Sequence, residues 1–542
     1  MRPLRVCTTA LTLGLAVYYA WFIFQTSFLI WGQRYFCLFD DAMVSMRYAR
    51  NLALGNGLVW NVGERVEGIS NLGWTLLLSL ISLLPLGDSL TCLAVQVISA
   101  CILSGTVYCA FGLARQMAGG NSFAGLVGAF LVGTYFPLVN WTLQGMEVGL
   151  LSFLLTACIW QACRELKGAS FSRWLYVGLA VAVLVRMDAV LPAAVICGFL
   201  AWQGPKDRKR HLIWGIGTAI VCLGGQTLFR YAYYGDILPN TYYLKLTGFP
   251  TVNRMARGAW CTARFLVMTF ALLGVVEVAF RLVLGGTTLR LRNLMPESSR
   301  PAGLVLLVFG GQIAYNIYIG ADAWEALDGC NRFVTIAMPS LIALVAARGW
   351  KLCEGTIADR ARFPVALLLL AVAWTNLNFH KDPRHPDTYV VFRRPFFVAE
   401  NRRNVELALA VKSATQPGAK VAVDWAGAIP YFMDRPAIDL LGKSDHHVAR
   451  LPMHRGVMGD GAWWKEFYPG HLKWDYGYSI GQRQPDVVLA TWGKSVGDSA
   501  AFLGPYDRTE FEGFSVYGRI GSSRVDFSKL RQLLGAGQSE SP

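Results

Sequence analysis

The chain has 542 residues, 54% of them hydrophobic, 13% aromatic and only 16% charged, with 18 Trp and a formal charge of +15. A soluble globular enzyme carries about a quarter charged residues, so this composition excludes one, and it also excludes intrinsic disorder and a disulfide scaffold. Mean hydropathy is +0.38, and long apolar runs recur from Leu11 to Phe379 and then stop, the pattern of a polytopic membrane protein with one soluble tail.

In chain order the runs predict about eleven transmembrane helices, at 11–31, 89–113, 122–139, 148–163, 174–186, 189–203, 211–230, 260–284, 302–320, 333–348 and 364–379. Several fall short of the ~20 residues that a straight span needs. Leu72–Leu84 is also apolar but stops at Pro85 and Gly87. Counted as a span, it would put the basic loops on alternating sides, so it reads as a helix lying against the membrane face.

An inside N-terminus then gathers Arg2 and Arg5, Arg115, Arg164 with Lys167 and Arg173, Lys206 to Arg210, Arg290 to Arg300, and Arg348 to Arg362 in the inner loops. That is the positive-inside pattern, and it accounts for much of the basic charge without a nucleic-acid partner. The first span suits an uncleaved signal-anchor. The expected orientation has a cytoplasmic N-terminus and an exported tail. The expected units are a transmembrane region, 1–379, whose first outer loop is 32–88, and a soluble domain, 380–542.

The outer loops collect Asp40, Asp41, Glu64, Glu67, Glu147, Asp188, Asp236, Asp322, Glu325 and Asp328, with Arg47, Arg186, Lys245 and Arg332. Outer loops are wet and tolerate charge, but these groups sit beside spans and not at loop tips, which favours a site. In the tail, Asn404–Ala414 has helical patterning. Lys420–Val423, Ala437–Leu441, Asp486–Ala490 and Phe514–Ile520 read as short strands, together a compact α/β domain. None of the 12 Cys lies in the tail. Cys37 and Cys330 flank acidic outer segments, where a bridge suits an oxidising compartment.

The chemistry concentrates after the first span, in Phe39-Asp40-Asp41-Ala42, then Arg47-Tyr48-Ala49-Arg50-Asn51, Gly57-Leu58-Val59-Trp60-Asn61, Glu64-Arg65-Val66-Glu67-Gly68, Asn71 and Trp74. Two adjacent acids at a membrane surface cannot both be buried ionised without partners. One can remove a proton from a hydroxyl while the other binds a cation or a sugar hydroxyl. Helix N-capping would explain one Asp, but not the Asn, Glu and Trp that follow. Further motifs are Gln144-Gly145-Met146-Glu147, Arg186-Met187-Asp188, Gly235-Asp236-Ile237-Leu238-Pro239-Asn240 through Lys245, and Gly320-Ala321-Asp322-Ala323-Trp324 with Arg332-Phe333. The tail adds Gly427 to Tyr431, Asp439 to Gly442 through Ala449-Arg450, and Pro469-Gly470-His471.

These motifs resemble those of C-type membrane glycosyltransferases, which take sugars from polyprenyl phosphates. More narrowly, they resemble those of the terminal arabinofuranosyltransferases of bacterial cell-wall arabinans. The resemblance covers nearly the whole chain. It departs at Met43, Val44 and Met46, and at Met187, where the motif usually has Pro. It implies an α-helical polytopic C-type glycosyltransferase fold with a C-terminal α/β domain. It also implies a polyprenyl-phosphate sugar donor held at the membrane lipid and a glycan acceptor.

A leaving phosphate gains charge as the glycosidic bond breaks, so fixed cations are needed. Lys245, Arg186 and Arg332 are the candidates, with interfacial anchoring or pairing to nearby acids as the alternative. The oxocarbenium-like centre needs a negative neighbour: Asp40 first, Asp41 second, Glu67 third. Arg47, Asn71, Trp74, Glu147, Asp188, Asp236, Asn240, Asp322 and His471 complete the expected substrate-binding set. Trp74, Trp141 and Trp324 would stack on sugar or bracket lipid. His446, His447, His454 and His471 lack the spacing of a metal site. No cofactor is required, although a divalent cation on the twin acids is compatible with the reading. Glu277, inside a span, either faces a cavity or pairs with Arg281 one helical turn away.

The expected activity is transfer of D-arabinofuranose to an exported glycan. Rival readings are another lipid-linked sugar with a pilin-like protein or lipopolysaccharide acceptor, a transporter or flippase, and a structural assembly protein. No inverted repeat or paired broken helices support a transporter.

Overall fold

The computed structural model describes residues 2–204, 206–283, 300–326, 331–356, 359–378, 387, 390–395, 397–458 and 462–538. Asp328 and Cys330, and the side chains of Glu277 and Arg281, lie outside the described residues, as does any pairing of Cys37 with Cys330.

The chain opens with α1 (Arg2–Gln25), β1 (Phe28–Ile30) and β2 (Gln33–Tyr35). This corrects the expected first span: the helix ends at Gln25, and the remaining apolar residues enter a hairpin. Thr26 and Ser27 turn their hydroxyls back onto the carbonyls of Phe22 and Phe24, at 3.0 and 2.6 Å. The hairpin loop has Trp31 and Gly32 both at positive φ, 48° and 76°, as a two-residue turn matched to strand twist demands. A short apolar run carries no period that separates strand from helix, hence the overrun.

Next come α2 (Asp40–Ala53), α3 (Leu72–Ser82), α4 (Asp88–Met117), α5 (Ser122–Gly133), α6 (Phe136–Leu143), α7 (Val148–Leu166), α8 (Arg173–Val185) and α9 (Val190–Gln203). The expected single span over 122–139 is broken instead: α5 and α6 meet at 55°. Pro137 in the first turn of α6 starts a new helix there. The short apolar helix expected at 72–84 is α3.

The series continues with α10 (Arg208–Ala219), α11 (Gly225–Tyr234), α12 (Asn240–Leu246), α13 (Thr251–Val283), α14 (Arg300–Ile319), α15 (Arg332–Thr335), α16 (Met338–Thr356) and α17 (Asp359–Asn378). Every expected span overlaps a helix. Four helices among the described residues are long and apolar enough to cross a membrane, or five if the bent α5–α6 pair counts as one. The chain is a membrane protein.

The C-terminal part has α18 (Phe397–Ala414), β3 (Val421–Val423), α19 (Ala428–Met433), β4 (Ala437–Asp439), α20 (His446–Ala449), β5 (Val487–Leu489), α21 (Val496–Ala500), β6 (Tyr506–Phe511), β7 (Phe514–Arg519) and α22 (Phe527–Gln538). The sheet order is β4-β3-β5-β7-β6. Its first three strands are parallel, with Val421 opposite both Ala437 and Val487, and the last two are antiparallel. All residues of β3, β4 and β5 are buried, as expected for apolar strands covered on both faces. The four expected strands are all present. The edge strand β6 was not expected, because its run Tyr506-Asp507-Arg508-Thr509-Glu510-Phe511 is mostly polar and exposed.

The membrane and sheet regions share one hydrophobic core, running from Leu15 through Phe39 and Trp141 to Val421, Val487 and Leu534. Polar bolts cross the same seam. Asn61 makes two hydrogen bonds with the backbone of Ala437, at 2.7 and 3.1 Å, extending β4 by a side chain. Trp60 Nε1 donates to Ala426 O at 3.0 Å, and Asn401 Nδ2 donates to Leu38 O at 3.0 Å. The loop between α2 and α3 therefore meets both the turn after β3 and the start of β4.

Candidate active site

Asp40 and Asp41 begin α2, and their neighbours divide them. The Oδ1 of Asp40 accepts from the backbone of Ala428 at 2.8 Å, in the turn that follows β3. That turn lies so close that a Cβ on Gly427 would sit 1.9 Å from the Asp40 carbonyl oxygen, so only glycine fits. Burial raises the carboxyl of Asp40 to about 6, against the pull of the Ala428 amide and of Lys443. Burial also acts on Asp41, but Lys443, Arg332 and Lys245 override it and hold that carboxyl well below the usual carboxylate range.

Arg332 reaches Asp41 Oδ2 at 2.7 Å and grips Asp322 with Nε and Nη2 at 2.8 and 3.0 Å. Its position follows from α15, whose N-cap Asn331 accepts from the amides of Phe333 and Val334 at 2.8 and 3.1 Å. Lys443 pairs with Asp41 from the other side. Asp439, at the carboxyl end of β4, accepts from the amides of Leu441, Gly442 and Ser444 at 3.1, 3.1 and 2.6 Å. Those bonds curl residues 439–444 into a tight turn, with Gly442 at φ +83°, which presents Lys443.

Lys245, near the end of α12, has no hydrogen-bond or ion-pair partner among the described residues. Burial lowers its ammonium to about 8, while Asp41 pulls it upward. Three cations, Lys245, Arg332 and Lys443, thus surround Asp41 and Asp322, with Asp40 alongside. Gly470 packs 3.4 Å from Lys245 Cε, measured from a Cβ position built on the glycine, so the Pro469-Gly470-His471 turn borders the cluster. Phe39 wedges beneath, edge-on to Trp141 and Trp324 at 5.1 and 4.9 Å between ring centroids.

Of the expected set, the structure brings together Asp40, Asp41, Lys245, Asp322, Arg332 and His471. A second network stands behind them. Arg186 pairs with Glu147 at 2.9 Å and grips Asp188 with two nitrogens, and Asn71 donates to Glu147 at 3.0 Å. Arg186 thus takes the alternative of pairing with nearby acids. Trp74 is 1% exposed and donates to Gly145 O at 2.9 Å, fixing the turn before Glu147 instead of facing a sugar.

The other side chains expected to contact substrate also have partners within the chain. Arg47 donates to the carbonyls of Trp60, Pro430 and Arg435 and to Asn61. Glu67 holds Arg230 with both oxygens. Asp236 holds Arg450 at 2.8 and 2.9 Å. Asn240 donates to the carbonyls of Gly442, Lys443 and Asp445. These contacts fasten the loops between the helices to one another and to the sheet domain.

Sequence reasoning missed Lys443 and Arg230. Arg230 carried a signal, since it is an ionisable residue inside an expected span. Lys443 carried none, because its role depends on a fold that brings residues 41 and 443 together.

The architecture is the C-type glycosyltransferase fold. ArnT from Cupriavidus metallidurans, solved bound to undecaprenyl phosphate, superposes with a TM-score of 0.55 at 10% identity over 95% of this chain and 99% of its own. The archaeal oligosaccharyltransferase AglB from Archaeoglobus fulgidus, solved with an inhibitory peptide and a dolichol-phosphate, gives 0.52 at 11% identity over 95% and 74%.

In sequence, the chain is similar to the terminal beta-(1->2)-arabinofuranosyltransferase of Mycobacterium tuberculosis, 28% identical over 231 residues, 40% of this chain and 35% of the relative. The Corynebacterium glutamicum enzyme of the same name is 27% identical over 231 residues, 38% and 32% of the two chains. The chain thus covers about a third of the length of these curated relatives. Residues 395–528 match a domain family described as a domain of unknown function, DUF8728.

Proposed function

We propose that the protein is a membrane glycosyltransferase that moves a pentofuranosyl residue, D-arabinofuranose, from a polyprenyl-phosphate donor to an exported glycan. The observation that carries this reading is the split pair: a buried Asp40 with an elevated pKa beside an Asp41 locked among Lys443, Arg332 and Lys245. At neutral pH Asp40 is ionised and keeps affinity for a proton, as a general base requires. It takes the proton of an acceptor hydroxyl, whose oxygen bonds to the anomeric carbon as the bond from that carbon to the phosphate oxygen breaks. The polyprenyl phosphate leaves with the electron pair, and the unpaired Lys245 faces the charge that develops.

Asp41 organises the cations and does not share the base role. No cofactor is needed, since the leaving group is a monophosphate and fixed side chains supply positive charge. The charge pattern of the loops supports an outward-facing site at the bacterial inner membrane, with a cytoplasmic N-terminus. The similarity to arabinofuranosyltransferases supports the donor sugar.

The test is transfer from synthetic polyprenyl-phosphoryl arabinofuranose to a short arabinan, with wild type and Asp40→Asn, and with and without a chelator. Loss of at least about a hundredfold in the variant is expected. Activity retained within a few-fold removes Asp40 from the chemistry. Labelling of a cysteine introduced into the tail, before and after the membrane is breached, tests the orientation.

A further inference from the structure

A second cluster of charge lies along the same seam. It surrounds a cavity of about 230 Å³ bounded by α2, the loop that follows it and the amino ends of β3 and β4. Neither twin acid lines this cavity, nor do Lys245, Arg332 and Lys443. Arg47, on its wall, stands seven residues after Asp40 on α2, ~10 Å along the helix axis. The cavity is therefore separate from the candidate active site. Its wall runs from Arg47, 5% exposed, out to the exposed Lys420.

Five cations line it, Arg47, Arg50, Lys420, Arg435 and Arg483, against two carboxylates, Glu64 and Asp434. Both carboxylates are engaged: Arg50 holds Asp434 at 2.9 Å, and Arg483 holds Glu64 at 2.8 Å. The other cations have no carboxylate partner among the described residues. Arg47 donates to the carbonyls of Trp60, Pro430 and Arg435 and to the amide oxygen of Asn61. Arg435 donates to the Thr415 hydroxyl and to the carbonyls of Lys412, Asp434 and Thr415, at 2.9 to 3.2 Å. The Lys420 ammonium has no partner among the described residues.

Neutral oxygens fix the two guanidinium planes without supplying a counter-charge, and each plane keeps one Nη1 hydrogen unshared. A buried cation without a counter-ion is costly, and burial and Arg50 both act against the charge of Arg47. An anion in the cavity offsets that cost. A chloride or a lone carboxylate would balance only one of the unpaired cations. A phosphate monoester brings close to two negative charges and three acceptor oxygens, in the geometry that arginine forks match. A neutral sugar or a peptide carbonyl would leave the charge unbalanced.

We propose that this cavity binds a phosphate monoester group, held by Arg47, Arg435 and Lys420. Arg47 comes from α2 and the other two from the sheet domain, so the bound group ties the two regions together. The same chemistry arrives free in solution or on a lipid headgroup.

The test follows thermal unfolding of the full chain in nanodiscs at constant ionic strength, since a ligand that binds the folded state raises the midpoint. Inorganic phosphate is titrated into discs of phosphatidylcholine, and a second series of discs carries increasing phosphatidic acid with no free phosphate. A soluble source raises the midpoint in the first series alone, and a lipid source raises it in the second. In the responding series, Lys420→Gln should increase the half-saturating amount roughly tenfold, the loss of one charge-assisted hydrogen bond. Lys529→Gln, exposed on α22, should leave it unchanged. The backbone amide of Lys420 donates to Asp486 at 2.9 Å and is kept in the variant, so folded proteins are compared.

A wild type that responds to neither source overturns the proposal. So does a Lys420→Gln variant that responds as the wild type does, an equal loss in Lys529→Gln, or chloride that reproduces the phosphate effect. The readout is binding, so failure of the transferase reading would leave this result standing.

Discussion

The twin acids should respond in opposite directions to loss of charge. In the folded chain Asp40 titrates at about 6, against 3.8 for an exposed aspartate, so its proton is held more tightly folded than unfolded. Its contribution to stability is therefore present below pH 3.8 and lost as pH rises through 6. At neutral pH the buried charge costs about 3 kcal/mol, from 1.36 kcal/mol per pKa unit. Asn keeps the oxygen that accepts from Ala428 and carries no charge. Asp40→Asn should therefore raise the thermal unfolding midpoint at pH 7.5 while removing transfer.

Asp41 has the opposite linkage, since its folded pKa is depressed. Its contribution is present above the unfolded value and lost as pH falls through the folded one. Asp41→Asn strands Lys443 and one arm of Arg332, and it should cost about 3–5 kcal/mol, the usual effect of breaking a buried pair. The assay is unfolding of the purified chain followed by tryptophan fluorescence at several pH values, run beside transfer. An Asp40→Asn variant that is less stable than wild type at pH 7.5, or an Asp41→Asn variant that is more stable, would refute the division of roles. In the wild type, transfer should fall about tenfold per pH unit below 6, as the base form is protonated.

Lys245 acts as a cation, and burial has lowered it to about 8, so donor affinity should decline above that pH. Lys245→Met should raise the donor KM by roughly tenfold with a flat alkaline limb, and Lys245→Arg should move the limb upward; an unchanged limb excludes Lys245 from the phosphate. Gly427→Ala should force the turn off Asp40 and expose the seam to protease, because the added carbon meets backbone on the neighbouring segment; a protease-resistant variant with full activity would show that the turn is not packed on Asp40. Arg47→Ala should destabilise the chain by several kcal/mol through stranded carbonyls, and Lys should not rescue it, since one ammonium cannot reach four acceptors in the plane of a guanidinium. Donor KM measured in the cold on the surviving folded fraction should stay near wild type, and a large rise would return Arg47 to the binding set.

Fold and site were legible to different depths. Membrane helices announce themselves through length and apolarity, so each expected span overlaps a helix. The errors came where apolarity continues but geometry changes, at the Phe28–Ile30 strand and at the Thr134–Tyr135 break. The strands of the parallel core were readable because both of their faces are apolar. In the outer loops, ionisable residues beside spans marked the right region, but composition could not separate cations that face a cleft from those consumed by neighbours. Arg186 and Arg332 look alike in sequence. Asp188 and Glu147 occupy the first, while the second bridges Asp322 to Asp41. Such pairings belong to tertiary geometry, as does Lys443, whose ion pair joins residues 402 positions apart.

The position of the sheet domain explains why a membrane protein with this site would carry it. At a bilayer surface, water screens charge and a carboxylate stays fully ionised with little affinity for protons. Capping α2 with the carboxyl ends of β3 and β4 removes that water from Asp40 and supplies Asp41 with a cation in the same step. The environment that raises one acid and lowers its neighbour thus exists only while the two regions are docked. Loosening the seam at a distance, for example through Asn61→Ala at the β4 edge, should therefore draw the acid limb of the transfer profile down toward the ordinary carboxylate range before activity is lost. A seam variant that loses activity with its limb still near pH 6 would mean that the outer loop alone sets the titration of Asp40.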